Sequence, residues 1–193
     1  MNLRKSIRAL LPSFLLKKFR EFKRRKFNRN LSDALSTGNS IPRAALTKQL
    51  EEMGIVKGDS LLVHASLRSM GILEDGANTV IEALLNVVGE EGNLLMPSSP
   101  VLSLQLDYVK SKPVFVSQET PSAMGAISEK FRQLNGVKRS LHPTEAVCAL
   151  GSQAAFLTEG HFNQITPYNA NSPFCRLCEL KGKILYVGVT LDN

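Results

Sequence analysis

The segment Gly58-Asp59-Ser60-Leu61-Leu62-Val63-His64-Ala65-Ser66-Leu67-Arg68-Ser69-Met70-Gly71 passes abruptly from an apolar run into small polar residues, a cation and a glycine. Leu61 to Val63 is short, aliphatic and preceded by the turn pair Gly58-Asp59, so it reads as a buried strand. In open α/β sheets ligands bind where strand ends meet helix starts, and the hydroxyls of Ser66 and Ser69 with the Arg68 guanidinium could hold an anionic group there. Taken alone, the segment reads equally well as an ordinary solvated turn. A second arginine flanked by serine stands in Arg139-Ser140-Leu141-His142-Pro143, where Pro143 pushes His142 toward extended backbone. Without an identified carboxylate partner, His142 reads first as a structural hydrogen-bonding residue and second as a base. His161, in a polar loop after Gly160, is expected at the surface. Cys175 and Cys178 form a C-x-x-C with no second Cys/His pair after it, so no metal site is expected. Both are expected as core residues on one face of a short helix opening at Pro173, and Cys148 as a buried strand residue.

Further stretches carry a resemblance. Together with the first segment, Asp75-Gly76-Ala77-Asn78-Thr79-Val80-Ile81-Glu82-Ala83-Leu84-Leu85, Val88-Gly89-Glu90-Glu91-Gly92-Asn93-Leu94-Leu95-Met96-Pro97, the Arg-Ser-Leu-His-Pro element, Ala149-Leu150-Gly151, Asn171-Ser172-Pro173 and Gly182-Lys183-Ile184-Leu185-Tyr186-Val187-Gly188 resemble the aminoglycoside N3-acetyltransferase family. Their common order from Ala44 to Val189 is far more specific than any one of them. The resemblance implies transfer of an acetyl group from acetyl-CoA to an amino group of an aminoglycoside or related amino sugar, the chemistry of one route to antibiotic resistance. It also implies that Ala65, Ser66, Leu67 and Arg68, with Arg139, Ser140 and His142, contact the coenzyme. That fits coenzyme chemistry: phosphates favour arginine and helix N-termini, and the pantetheine arm needs an apolar slot with amide partners. Acyl transfer to an amine further needs a base, a polarised thioester carbonyl and exclusion of water. In the family a Thr-x-x-His-x-x-Glu element, following the strand equivalent to Lys183 to Val187, supplies the expected base. Here Leu191-Asp192-Asn193 precedes any such element, so the catalytic histidine is expected beyond Asn193 and the 193-residue chain is expected to turn over poorly. Within the chain His142 and His64 remain as candidates, although the family's His-Ala-Ser-Leu element gives His64 a role in shaping the coenzyme turn. The alternative function is a truncated, non-catalytic module that binds coenzyme A or docks at a membrane.

Positioning such groups takes regular elements, and the pattern beyond residue 40 alternates helix and strand. Pro42 to Met53 reads as an amphipathic helix with Pro near its start and Gly54 at its end. Strands are expected at Leu61 to His64, Asn93 to Met96, Ala146 to Leu150 and Lys183 to Val187. Helices are expected at Ala77 to Val88, where Val80, Ile81, Leu84, Leu85 and Val88 share a face, at Ser122 to Leu134 and at Ser152 to Leu157. Ser98 to Pro121, with weak periodicity and two interior prolines, reads as a long loop of the kind that forms lids or substrate walls. The alternation implies a layered α/β/α domain over residues 41–193.

Charge separates a tail from that domain. Residues 1–29 hold eleven Lys or Arg against one acid, Glu21, so of the chain's net +7 the tail carries +10 and the remainder −3. Leu11, Phe14, Leu15, Phe19 and Phe22 recur at helical spacing among Lys17, Lys18, Arg20, Lys23 and Arg24, which makes residues 1–30 a basic amphipathic helix. Its apolar runs are too short to span a bilayer and there is no secretory cleavage pattern, so a cytoplasmic location is expected. The tail could lie on the anionic inner face of a membrane, or dock its phenylalanines on protein. Nucleic acid is not an expected partner, since no aromatic-interleaved RNA motif or reading helix follows. Leu31 to Ser40, rich in Ser, Asn, Thr and Gly, reads as a linker. Hydrophobic content of 43% over 193 residues suffices for one substantial core.

Overall fold

Successive residues of the strands face opposite sides of the sheet and sort the core into two faces. In the computed structural model β1 spans Ser60–Ala65; Leu61 and Val63 point to one side of the sheet and Leu62 to the other. Four further strands complete it: β2 (Asn93–Pro97), β3 (Lys138–Arg139), β4 (Val147–Gly151) and β5 (Lys183–Val187), in the order β3-β4-β2-β1-β5. β1 runs parallel to β2 and β5, whereas β4 is antiparallel to β2 and β3. The structure describes residues 36–190 except 103, 112, 113, 164 and 165, and before them Lys18, Glu21, Phe22, Arg25, Arg29, Ser32 and Asp33. The chain divides into two units, Met1–Ser40 and Ile41–Asn193.

Helices cover both faces, which makes the second unit a three-layer α/β/α domain. On one side α1 (Arg43–Glu52), α2 (Gly76–Val88) and α4 (Ala126–Arg132) bury Leu46, Leu50, Val80, Leu84, Ile127 and Phe131 against Leu61, Val63, Leu94 and Met96. A helix of 13 residues such as α2 is marginal alone in water. Each aliphatic side chain it buries contributes roughly 1.5–3 kcal/mol, so packing sustains it. On the other side α5 (Ala154–Thr158) and α6 (Pro173–Glu179) place Ala154, Leu157 and Leu177 against Leu62, Leu95, Val147 and Ala149. Ser172 caps α6 by accepting the Cys175 N–H at 3.2 Å, and Pro173 opens the helix. α3 (Gln105–Lys110) buries no residue.

The sequence expectations are modified at several points. The 98–121 segment is not loop throughout, since α3 interrupts it, and the helix expected over Ser122 to Leu134 is shortened to α4 because Gly125, at φ 106°, starts it late. Two-residue β3 is too short for any periodicity to announce it. Cys148 is buried in β4, but Cys175 is only partly buried and Cys178 is exposed, because α6 turns Leu177 rather than both cysteines to the core. Inside the stretch read as a linker, Ser32, Asp33 and Ser36 are helical. Of the tail, Lys18, Glu21, Phe22, Arg25 and Arg29 are helical and exposed, while Leu11, Phe14, Leu15, Lys17, Phe19, Arg20, Lys23 and Arg24 lie outside the described residues. Among the described residues no helix is long and apolar enough to cross a membrane.

Candidate active site

Strand register brings the two serine-flanked arginines to one end of the sheet. His64 lies opposite Tyr186, and the Leu62↔Leu95 pairing, continued two residues, sets His64 beside Pro97. Pro97 pairs with Val147, whose carbonyl accepts the Ser140 N–H at 2.9 Å. Ser140, Val147, Pro97, His64 and Tyr186 therefore form one row across the sheet, beyond which lie the Ala65–Arg68 turn and the Leu141–Glu145 turn. Three strand spacings separate β1 from β3, roughly 14 Å, a distance an extended coenzyme can bridge.

At the β1 end, Ala65 closes the strand and Ser66 donates its N–H to the Val187 carbonyl at 2.9 Å. Leu67–Ser69 forms a single 3-10 turn, in which the Ser69 N–H reaches the Ser66 carbonyl at 3.0 Å and the two hydroxyls lie 3.3 Å apart. Arg68 projects outward, exposed and without an ion pair or hydrogen bond among the described residues. Gly188, at φ 67°, lets β5 pass close to this turn: a Cβ there would stand 3.0 Å from the Ser66 carbonyl and 3.1 Å from Ser69 Cβ. His64 is half-buried and stacks on Tyr186, ring centroids 5.1 Å apart. Burial lowers its pKa below the usual histidine value, and neither ring nitrogen has a hydrogen-bond partner among the described residues.

At the β3 end the polar groups engage one another. The Arg139 guanidinium donates to the carbonyls of Ser117 at 2.9 Å, Thr120 at 2.5 Å and Ser98, and sits 4.8 Å over the Phe115 ring. Its Nε is buried without a hydrogen-bond partner among the described residues. His161 corrects the expectation of a surface residue: it is 1% exposed, stacked on His142 at 4.6 Å. Its Nε2 lies 3.0 Å from the Pro167 carbonyl, which can only accept, so the ring proton sits on Nε2. Nδ1 then accepts from the Ser140 hydroxyl at 2.9 Å, whose oxygen accepts the Val147 N–H at 3.0 Å. Burial lowers the pKa of both histidines, and His142 lowers that of His161 further.

His142 spends its own lone pair inside the turn. Nδ1 accepts the Glu145 N–H at 3.0 Å and faces the Thr144 N–H at 3.4 Å, so the neutral ring carries its proton on Nε2. To act as a base through Nε2 it would need a proton on Nδ1, against two N–H donors. Chemically it is placed to donate. Beside it stands Glu145, which sequence reasoning did not single out: no motif or periodicity marks it, and only the turn folded around His142 puts it at the sheet end. A groove of about 870 Å³ also opens past Arg132, Lys138, Arg139, Leu141, His161 and Phe162, but no residue of the Ala65–Arg68 turn lines it. Groups of three or more His, Cys, Asp or Glu able to hold a metal are absent among the described residues.

Comparison with known proteins matches this arrangement to a family. A family model described as aminoglycoside 3-N-acetyltransferase matches residues 62–193. The chain is 39% identical over 150 residues to aminoglycoside N(3)-acetyltransferase IV of a Salmonella species, covering 78% of this chain and 54% of that protein. Its fold is similar to that of the sisomicin-bound AAC-VIa, with a TM-score of 0.70 at 32% identity over 79% of this chain and 61% of that one. It is similar also to AAC-IIIb in binary complex with CoASH, with a TM-score of 0.69 at 29% identity and the same coverage, 79% and 61%. The chain thus spans little more than half the length of the relatives it matches. By the family model and the identity it shares across the sheet that carries the site, the chain belongs to the aminoglycoside 3-N-acetyltransferase family.

Proposed function

We propose that the protein transfers an acetyl group from acetyl-CoA to an amino group of an aminoglycoside or related amino sugar. The observation that carries this reading is the β1 end, where Ala65, Ser66, Leu67 and Arg68, the last without a partner among the described residues, form a tight turn at the carboxyl end of a parallel strand. Coenzyme A binds there, its phosphates meeting Arg68 and its arm running along the end of the sheet toward Arg139, Ser140 and His142, which frame the far wall. With its proton on Nε2, His142 is a hydrogen-bond donor, the chemistry a thioester carbonyl or a pantetheine amide calls for. His64 is the candidate histidine whose lone pair is free to accept a proton. Family membership supports the reaction, the CoASH complex of AAC-IIIb supports the donor and the sisomicin complex of AAC-VIa supports the acceptor.

A thiol-release assay with acetyl-CoA and sisomicin, or a nucleotide-linked amino sugar, tests the reading. Slow acceptor-dependent release is the expected result; none, from a chain that binds coenzyme A, would reduce the function to coenzyme binding. A drop of about 10²–10⁴-fold in His64→Ala at unchanged coenzyme affinity places the base at His64. A smaller effect removes His64 as the base.

A second role, contact with the anionic inner face of a membrane, is supported by Phe22, helical and 65% exposed, with Lys18, Arg25 and Arg29 likewise helical and exposed. Each cation near such a surface contributes on the order of 1 kcal/mol, lost as salt screens it. Sedimentation with phosphatidylserine vesicles at low salt, abolished by deleting residues 1–30, is the expected outcome. Equal partitioning of both forms would remove the role.

A further inference from the structure

The two stacked histidines at the β3 end act as struts for two exposed-facing groups. His142 Nδ1 holds the Glu145 N–H, and His161 Nε2 holds the Pro167 carbonyl, one residue before Tyr168. The backbone at Glu145 and the backbone just before Tyr168 are thus anchored to the same stacked ring pair, from different parts of the chain. The Glu145 carboxylate accepts the Gln105 side-chain amide at 3.3 Å and has no basic partner among the described residues. Tyr168 is 63% exposed, its ring tilted against Phe174 at 5.2 Å, and Phe174 meets the edge of His161. Burial raises the Glu145 carboxyl above its ordinary value, and the Tyr168 phenol is raised by burial and then by the Glu145 charge, so the two groups feel each other. A partly buried carboxylate with no cation is costly to a fold and calls for one from outside. An aromatic face beside a carboxylate suits a sugar ring bearing an ammonium group, by stacking and cation–π attraction on one side and a charge-assisted hydrogen bond on the other.

The geometry points to Glu145 and Tyr168 as an acceptor subsite, with the Glu145 carboxylate binding an ammonium group of the amino sugar and the Tyr168 ring packing on the sugar face. This inference rests on the proposed acetyl transfer and specifies which residues choose the acceptor. His142 and His161 are then positioning residues, one for each member of the pair.

Calorimetric titration of the full chain with sisomicin, with fully N-acetylated sisomicin and with coenzyme A tests it. Glu145→Gln keeps the backbone N–H to His142 and a contact for Gln105, so it should fold. It is expected to bind sisomicin at least tenfold more weakly, with coenzyme A affinity unchanged. Tyr168→Ala, on an exposed ring, should weaken sisomicin several-fold. The N-acetylated compound, which lacks the ammonium groups, should bind wild type weakly and show no further loss in Glu145→Gln. Equal sisomicin affinity in wild type and Glu145→Gln would overturn the subsite while leaving the proposed transfer intact. A wild-type chain that binds coenzyme A but neither sisomicin nor a nucleotide-linked amino sugar would overturn the acceptor half of the proposed function and this inference with it.

Discussion

The Arg139 guanidinium donates to carbonyls of Ser98, Ser117 and Thr120 and covers the Phe115 ring, so one side chain fastens several points of the 98–121 segment to β3. Burial lowers its pKa, and a guanidinium remains charged in proteins. A hydrogen bond from a charged group is worth about 1.5–3 kcal/mol. Arg139→Ala, which removes three such bonds, should accordingly lower stability by at least that much, read from the urea midpoint. Coenzyme A titration of the same variant separates the two uses of the residue. Reduced stability at wild-type affinity makes Arg139 a strut, whereas an affinity loss of about tenfold or more in a folded variant makes it a phosphate ligand. The arginine-serine pairs could be picked out in sequence as anion-binding candidates because their residue types are informative. What their hydrogen bonds do could not, since the acceptors of Arg139 lie 19 to 41 residues away.

At the scale of elements, the strut of Ser140, His142 and His161 ties the end of β3 to the loop before α6, and its chemistry sets a pH window. Both histidines have folded-state pKa values below the unfolded 6.5, chiefly through burial, so the native chain holds them neutral. Below that value the unfolded chain takes up protons that the folded one does not, so their stabilising contribution is complete above about pH 6.5 and declines as pH falls toward the lowered folded values. Glu129 works in a separate, more acidic window: its hydrogen bond from Arg132 lowers its pKa from 4.5 to about 2, and what it contributes is lost only as pH falls between those values. Urea midpoints should therefore fall between about pH 7 and about pH 5.5, and His161→Phe, which cannot titrate, should show a shallower slope. A midpoint that rises on acidification would contradict the neutral-histidine assignment. Strands β1, β2 and β5 and helices α1 and α2 were legible in sequence because apolar periodicity and glycine stops mark them locally. β3 and the burial of His161 were not, because a two-residue strand has no period and a histidine in a polar loop carries no local sign that another histidine will stack on it.

Over the whole molecule, the antiparallel β4 and β3 extend a parallel β2-β1-β5 sheet so that loops from three distant stretches of chain meet at one end. Alternation of helix and strand indicated the layers, but strand direction depends on which loops cross the sheet, a long-range property. The central claim is that this end, and first the turn after β1, holds coenzyme A. Arg68 is exposed and bonds to nothing else described, so its removal should leave folding intact and report on the ligand alone. The most direct measurement is calorimetric titration of coenzyme A into the wild-type chain and into Arg68→Ala. Saturable binding that weakens about tenfold or more in the variant is predicted, as expected for one lost arginine–phosphate hydrogen bond. No binding to the wild-type chain, or equal affinity in the two proteins, would contradict it.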